Sequence, residues 1–294
     1  MKKRSIITLV VVFGGLFLGL LVFIGVLVMV FADDDRRDGP AIGVVELEGP
    51  ITESEAVIKD LERFEDDDDI KGIVLRINSP GGAVAPSQEI FYAVQRVGAE
   101  KPLAISMGSV AASGGYYAAC GSEMIFANPG SITGSIGVIT QLFNIERLME
   151  RTEIEVYTIG SGEFKDAGSP FKPFEEEHEA YFSQMVFDIH DQFVEDVAEC
   201  REMELSEANA LADGRVFTGR QAKAERLVDE LGSLHDAIEY IAAEVDLEDP
   251  PVVYPPEEKL GIFGELFRVA VDSSVTELKE HKRPRVSYEY VGPQ

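Results

Sequence analysis

Of 294 residues, 53 are acidic and 26 basic, a net charge of −27 that repels nucleic acid and anionic headgroups. The length suits one large domain or two small ones. Two cysteines are too few for a disulfide framework. Acidity spread this widely fits a high-salt habitat, where self-repulsion is screened. Runs such as Glu65-Asp-Asp-Asp-Asp69 and Glu175-Glu-Glu177 read as solvated helix ends and faces. No spacing of metal ligands stands out, and neither a metal nor a cofactor is expected.

Residues 6–31 contain no charge. As a helix they measure about 39 Å at roughly 1.5 Å per residue, enough to cross a hydrocarbon core of about 30 Å with some tilt. A cleaved signal would be shorter and would end in small residues, so residues 1–32 are expected to be a cytoplasmic stub and a retained anchor. Lys2, Lys3 and Arg4 precede the span and Asp33, Asp34 and Asp35 follow it. By charge bias the N-terminus faces the cytoplasm, and the remainder lies outside on the bilayer. Residues 33–40 have linker composition.

The body is expected over residues 41–249. Ile42–Leu47, Gly72–Ile77, Pro102–Met107 and Met124–Ala127 read as strands. Helices are expected over Ser54–Phe64, through Ile90, Phe91, Val94 and Val97, and from near Ser113. Strand–turn–helix units of this length call for α/β architecture, with parallel strands and helices packed outside. The second half is helical. Glu177–Glu199 carries Tyr181, Met185, Ile189, Phe193 and Val197 as one stripe, expected as core or subunit interface. Shorter helices are expected over Ser206–Ala212, Gly219–Leu227 and Ser233–Val245. Cys120, ending an Ala-rich stretch, and Cys200, closing the long helix, are expected as separate small buried residues. Residues 250–294 read as a C-terminal arm that docks on its own or a neighbouring subunit.

Acyl transfer needs a nucleophile, a base and donors aimed at the developing oxyanion. Ser113 stands at a helix start, followed by Gly114 and Gly115. The N–H of Gly114 is a natural oxyanion donor, and Gly81 or Gly82 in Asn78-Ser-Pro-Gly-Gly82 is placed to supply a second. The alternative is that these glycines only make tight turns. Lys165, in Ser161-Gly-Glu-Phe-Lys-Asp166, is the candidate base. An ordinary lysine is protonated by about a thousandfold at pH 7, so such a base has to be partly desolvated. The alternative is a surface lysine on a loop. Ser135, in Thr133-Gly-Ser-Ile-Gly137, is a candidate for holding the amine in line. His178, His190, His235 and His281 lie in helical or tail segments without turn chemistry, and no Gly-x-Ser-x-Gly elbow surrounds Ser113.

The series Asn78–Gly82, Ser106–Tyr117, Thr133–Val138, Ser161–Asp166 and Ala212–Ala222 resembles the short form of the signal peptide peptidase A family, serine–lysine peptidases of the ClpP/crotonase-like superfamily. The resemblance runs from about Ile42 to Val245. It implies a crotonase/ClpP-like fold, with Ser113 as nucleophile, Lys165 as general base and Ser135 orienting the lysine. It also implies a homo-oligomer with active sites built across subunit contacts. The implied substrates are signal-peptide remnants and other exported polypeptides, with small or aliphatic side chains preferred beside the scissile bond. Two other readings compete: a crotonase-fold acyl-CoA enzyme, which an exported domain disfavours, and a catalytically inactive membrane scaffold.

Overall fold

The computed structural model describes Gly19, residues 39–256 and the backbone of residues 286–289. The anchor expected over residues 6–31, His281 and most of the arm lie outside these residues. No described helix is long and apolar enough to cross a membrane. The molecule divides into two units, Met1–Pro40 and Ala41–Gln294, and the second carries the fold.

Strand β1 (Ala41–Glu48) is followed by helix α1 (Glu55–Asp66), then β2 (Ile70–Ser79), the short β3 (Gly81–Ala83), α2 (Val84–Glu100) and β4 (Leu103–Ala112). After α3 (Gly114–Ala119) come β5 (Met124–Ala127), β6 (Ile132–Gly134), β7 (Ile139–Thr140) and α4 (Glu146–Thr152). A 3-10 turn (Glu163–Asp166) precedes the long α5 (Glu176–Cys200). Then follow α6 (Leu205–Leu211), β8 (Val216–Thr218), α7 (Gly219–Ala224), β9 (Glu230–Leu231), α8 (Leu234–Glu244) and β10 (Val252–Val253). One strand of the arm, β11 (Val286–Glu289), returns to the body.

The six-strand path β10-β1-β2-β4-β5-β9 of the main sheet is parallel at every step. Its central strands are nearly continuous apolar runs because helices cover both faces. One face carries the larger core, where Leu61 and Phe64 of α1, Ile90 and Val94 of α2, Tyr116 and Tyr117 of α3 and Phe193 of α5 are buried. Gly43 of β1 is required here, since a Cβ would lie 2.5 Å from the Phe64 ring. The opposite face is covered by α8, with Ile42, Val44, Val74 and Ala104 packed under Ala237 and Ile241.

The sheet is mixed, not wholly parallel. Strand β8 runs antiparallel to β6, and β6 in turn pairs with β4. Strand β4 changes partner along its length: Ala104–Met107 pair with β5, whereas Val110–Ala112 pair with β6. The break falls at Gly108, where the Asn78 side chain sits within 3.0 Å of the place a Cβ would occupy. Asn78 Oδ1 accepts from the Val110 N–H at 3.3 Å, restoring a bond that the bulge removes from the ladder.

The two cysteines are joined, contrary to the expectation of separate buried residues. Cys120, at the end of α3, bonds Cys200, at the end of α5, across 80 residues of sequence. Packing brings them together. Tyr117 stacks on Phe91 at 5.1 Å and meets Phe193 at 4.5 Å, and its hydroxyl donates to the Asp196 carboxylate. Burial raises the Asp196 pKa despite that hydrogen bond. The apolar stripe of α5 is buried in the core at Phe193, Val194 and Val197, with Ile189 partly buried against it. Tyr181 and Phe187 are exposed.

Candidate active site

Strand β4 ends at Ala112 and α3 begins at Gly114, so Ser113 is the corner between them. Its backbone has φ 54° and ψ −118°, the first central position of a type II′ turn, which glycine normally fills. A serine there costs roughly 1–3 kcal/mol and persists only because its surroundings hold it. The Ser113 N–H donates to the Gly134 carbonyl at 2.8 Å, and its carbonyl accepts from the Tyr117 N–H at 2.9 Å. The elbow that the flanking sequence lacked is present in the backbone. Ser113 is 1% exposed, and its Oγ is buried without a hydrogen-bond partner among the described residues.

The glycines around Ser113 are set by packing. A Cβ on Gly114 would stand 2.3 Å from Ser87 Oγ and 3.3 Å from the Gly82 nitrogen, and one on Gly115 would stand 2.9 Å from the Ser79 carbonyl. Helix α3 therefore lies directly on the β2–β3 turn, and the amides of Gly82 and Gly114 are neighbours beside Ser113. Gly81 is turned away from that point. Its N–H donates to Ser79 Oγ at 3.1 Å and its carbonyl accepts from the Ile51 N–H at 2.9 Å. Gly82 tolerates no side chain, because a Cβ would lie 2.0 Å from the Ile51 carbonyl oxygen.

Ser135 follows Gly134, the residue whose carbonyl holds the Ser113 amide. It is buried with φ 52°, and its N–H donates to the Arg215 carbonyl at 2.8 Å. The segment Ala212–Ala222 thereby props the corner. Arg215 Nε donates to both oxygens of Asp213, at 2.7 and 2.8 Å. Thr218 and Gln221 close a capping box on α7. The Arg215 hydrogen bond lowers the Asp213 carboxyl from its ordinary 3.8 to about 2. A depressed carboxylate pKa stabilises the fold above the ordinary value and loses that contribution as pH falls toward the lowered one. In thermal melts between pH 4 and 2, wild type is therefore expected to lose Tm more steeply than Asp213→Asn.

Lys165 lies in the 3-10 turn and is exposed. No hydrogen bond joins it to Ser113 or Ser135 among the described residues. The turn is anchored by its neighbours. Phe164 packs on Tyr181 at 5.1 Å and on His178 at 6.4 Å, and Asp166 pairs with Lys172 at 2.7 Å. The structure thus brings Ser113, Gly114, Gly82 and Ser135 to one corner and leaves Lys165 on the surface of its own chain. Between β7 and α5 runs an apolar groove of about 500 Å³, walled by Ile139, Leu142, Phe143, Phe174, Phe182 and Phe187.

Of the histidines, His190 Nε2 lies 2.8 Å from the Ala212 carbonyl and His235 pairs with Glu239. His178 is buried beside the Lys165 turn. Among the described residues no cluster suits a metal ion. Sequence reasoning missed the part played by Asn78: its motif points to a turn and an oxyanion donor at Gly81 or Gly82, although an asparagine beside a bulge is also a signal of side-chain-to-backbone bonding.

The model of peptidase family S49 matches residues 95–248, and that of Clp protease matches residues 42–133. A protein of Methanocaldococcus jannaschii that carries a protease name is 37% identical over 69% of this chain and 66% of its own length. A protein of Enterococcus faecium named for signal peptide peptidase SppA is 38% identical over 66% of this chain and 56% of its own. The chain thus spans roughly three-fifths of the length of these relatives. Among solved structures, a ClpP1 variant from Listeria monocytogenes aligns with a TM-score of 0.46 and 17% identity, over 66% of this chain and 94% of that one. With the S49 model covering more than half of its residues, the chain belongs to peptidase family S49.

Proposed function

We propose that the protein is a membrane-anchored serine endopeptidase that works outside the cytoplasm on signal-peptide remnants and other exported polypeptides, through Ser113 and Lys165. The observation that carries this reading is the Ser113 corner: a strained, buried, unpartnered hydroxyl beside two glycine amides. Ser113 Oγ attacks the scissile carbonyl while the Lys165 amine takes its proton. The amides of Gly114 and Gly82 receive the oxyanion, and Ser135 holds the amine in line. The intermediate collapses as Lys165 returns the proton to the departing amine, and water then releases the acyl group by the same steps.

Lys165 is exposed on its own chain and Ser113 Oγ has no hydrogen-bond partner among the described residues, which supports a base supplied by a neighbouring copy. Bare apolar side chains support such association, with Phe143 78%, Tyr157 83% and Ile159 101% exposed. The apolar groove beside β7 suits aliphatic peptide segments. The Cys120–Cys200 disulfide supports an extracytoplasmic site, since such bonds persist in oxidising compartments. Residues 6–31 supply the anchor.

A mixing experiment tests this. Ser113→Ala and Lys165→Ala are each expected to be inactive. Reassembled together at equal amounts, they regain about a quarter of wild-type sites, because each site draws its serine and lysine from adjacent copies of a head-to-tail ring. Near-normal turnover by Lys165→Ala would remove the lysine mechanism. Inactivity of wild type and mixture alike would favour the scaffold.

A further inference from the structure

The turn between β2 and β3 is gripped from two sides. Strand β2 ends at Ser79, and Pro80 has no N–H, so the first backbone donor beyond the strand is that of Gly81. Gly81 is buried, and its N–H donates to Ser79 Oγ at 3.1 Å, a side chain folded onto the backbone two residues on. The Gly81 carbonyl accepts from the Ile51 N–H at 2.9 Å, and the Ala83 N–H donates to the Ile51 carbonyl at 2.7 Å. No peptide bond among the described residues is cis. In a trans peptide the N–H points opposite to the preceding carbonyl, so the Gly82 N–H is aimed away from Ile51. The Gly82 nitrogen lies 3.3 Å from the place a Cβ on Gly114 would occupy, beside the first residue of the nucleophile's helix.

Gly81 itself offers little resistance to rotation. Its φ is 97°, a region that glycine enters freely, and it has no side chain to wedge it. The aim of the Gly82 amide therefore depends on what holds residue 81, Ile51 at the carbonyl and Ser79 at the N–H. Ser79 is 0% exposed, so solvent has no access to replace its oxygen. We propose that Ser79 is a positioning residue of the reaction, holding the Gly82 amide on the developing oxyanion through Gly81. The proposal rests on the reading of Gly82 as an oxyanion donor beside Ser113. Removing such a donor outright lowers kcat by roughly 10^2–10^3-fold. Loss of Ser79 leaves the donor in place but free to swing, so the expected fall in kcat is smaller, about 10–100-fold. Binding of the peptide before attack depends little on that amide, and KM stays within about twofold.

The test compares Ser79→Ala with wild type on a fluorogenic aliphatic peptide and on a peptide aldehyde. The aldehyde carbon takes the bond from Ser113 Oγ, and its oxygen then occupies the oxyanion position. The Ki of the aldehyde is expected to rise by the same factor as kcat falls. Ser122→Ala is the control for lost stability. Ser122 is also buried, and its Oγ donates to the carbonyl of Leu103, at the far end of β4 from the nucleophile, at 2.9 Å. That variant loses a comparable hydrogen bond, and is expected to melt lower with kcat and Ki in place. Should Ser79→Ala fail to fold, Ser79→Cys keeps the shape, offers only a weak acceptor and is read in the same way. Wild-type kcat and Ki in the folded Ser79 variant overturn the proposal. So does a fall in kcat without a rise in Ki, or an equal fall in Ser122→Ala. Absence of hydrolysis and of fluorophosphonate labelling in wild type overturns instead the peptidase reading on which it rests.

Discussion

Ser113→Ala is expected to lower kcat by roughly 10^4–10^6-fold, the loss that follows removal of a serine nucleophile whose oxyanion donors remain. Ser113→Gly is expected to be equally inactive yet more stable. At φ 54° and ψ −118° the side chain is a steric burden that alanine retains and glycine removes. The glycine variant should therefore melt above the alanine variant by about 2–4 °C, equivalent to about 1 kcal/mol in a domain of this size. Differential scanning calorimetry and peptide hydrolysis on the same preparations check both halves. A glycine variant that melts below the alanine variant would show that the corner is unstrained. An active alanine variant would remove Ser113 from the chemistry.

The second large effect concerns the disulfide. Closing an 80-residue loop removes denatured-state entropy equivalent to roughly 4 kcal/mol. The double variant Cys120→Ala, Cys200→Ala is expected to melt on the order of 10 °C below wild type. Reductant should move wild type toward the variant and leave the variant where it is. Activity should fall as well, because the bond clamps the far end of the six-residue helix that starts at the nucleophile. Two titratable thiols in the native, oxidised preparation would contradict the bridge. So would equal Tm in the two proteins.

The parts legible in the sequence were those with local causes. β1, β2, β4 and β5 are contiguous apolar runs because both faces of the sheet are covered, and helix α2 shows its buried side as Ile90, Phe91, Val94 and Val97. The candidate serine, Gly114 and Gly82 were legible because close backbone approach demands glycine, and sequence displays glycine. The rest depended on partners far along the chain. β8, β9 and β10 have two or three residues each and exist only through the strands they join. The disulfide joins helix ends 80 residues apart, and two cysteines carry no pairing signal of their own. The stripe of α5 extended past its buried part because surface apolar residues continued the period. The positive φ of Ser113 leaves no mark on local composition.

The forked pairing of β4 has a mechanical consequence. Upstream of Gly108 the strand is locked to β5 and the deep core; downstream it belongs to β6 and, through β6, to the Asp213–Thr218 segment. The nucleophile thus hangs on the lighter prong. Small displacements of that outer hairpin swing the serine without melting the sheet, so changes within Val216–Thr218 would detune turnover more than they lower the melting temperature.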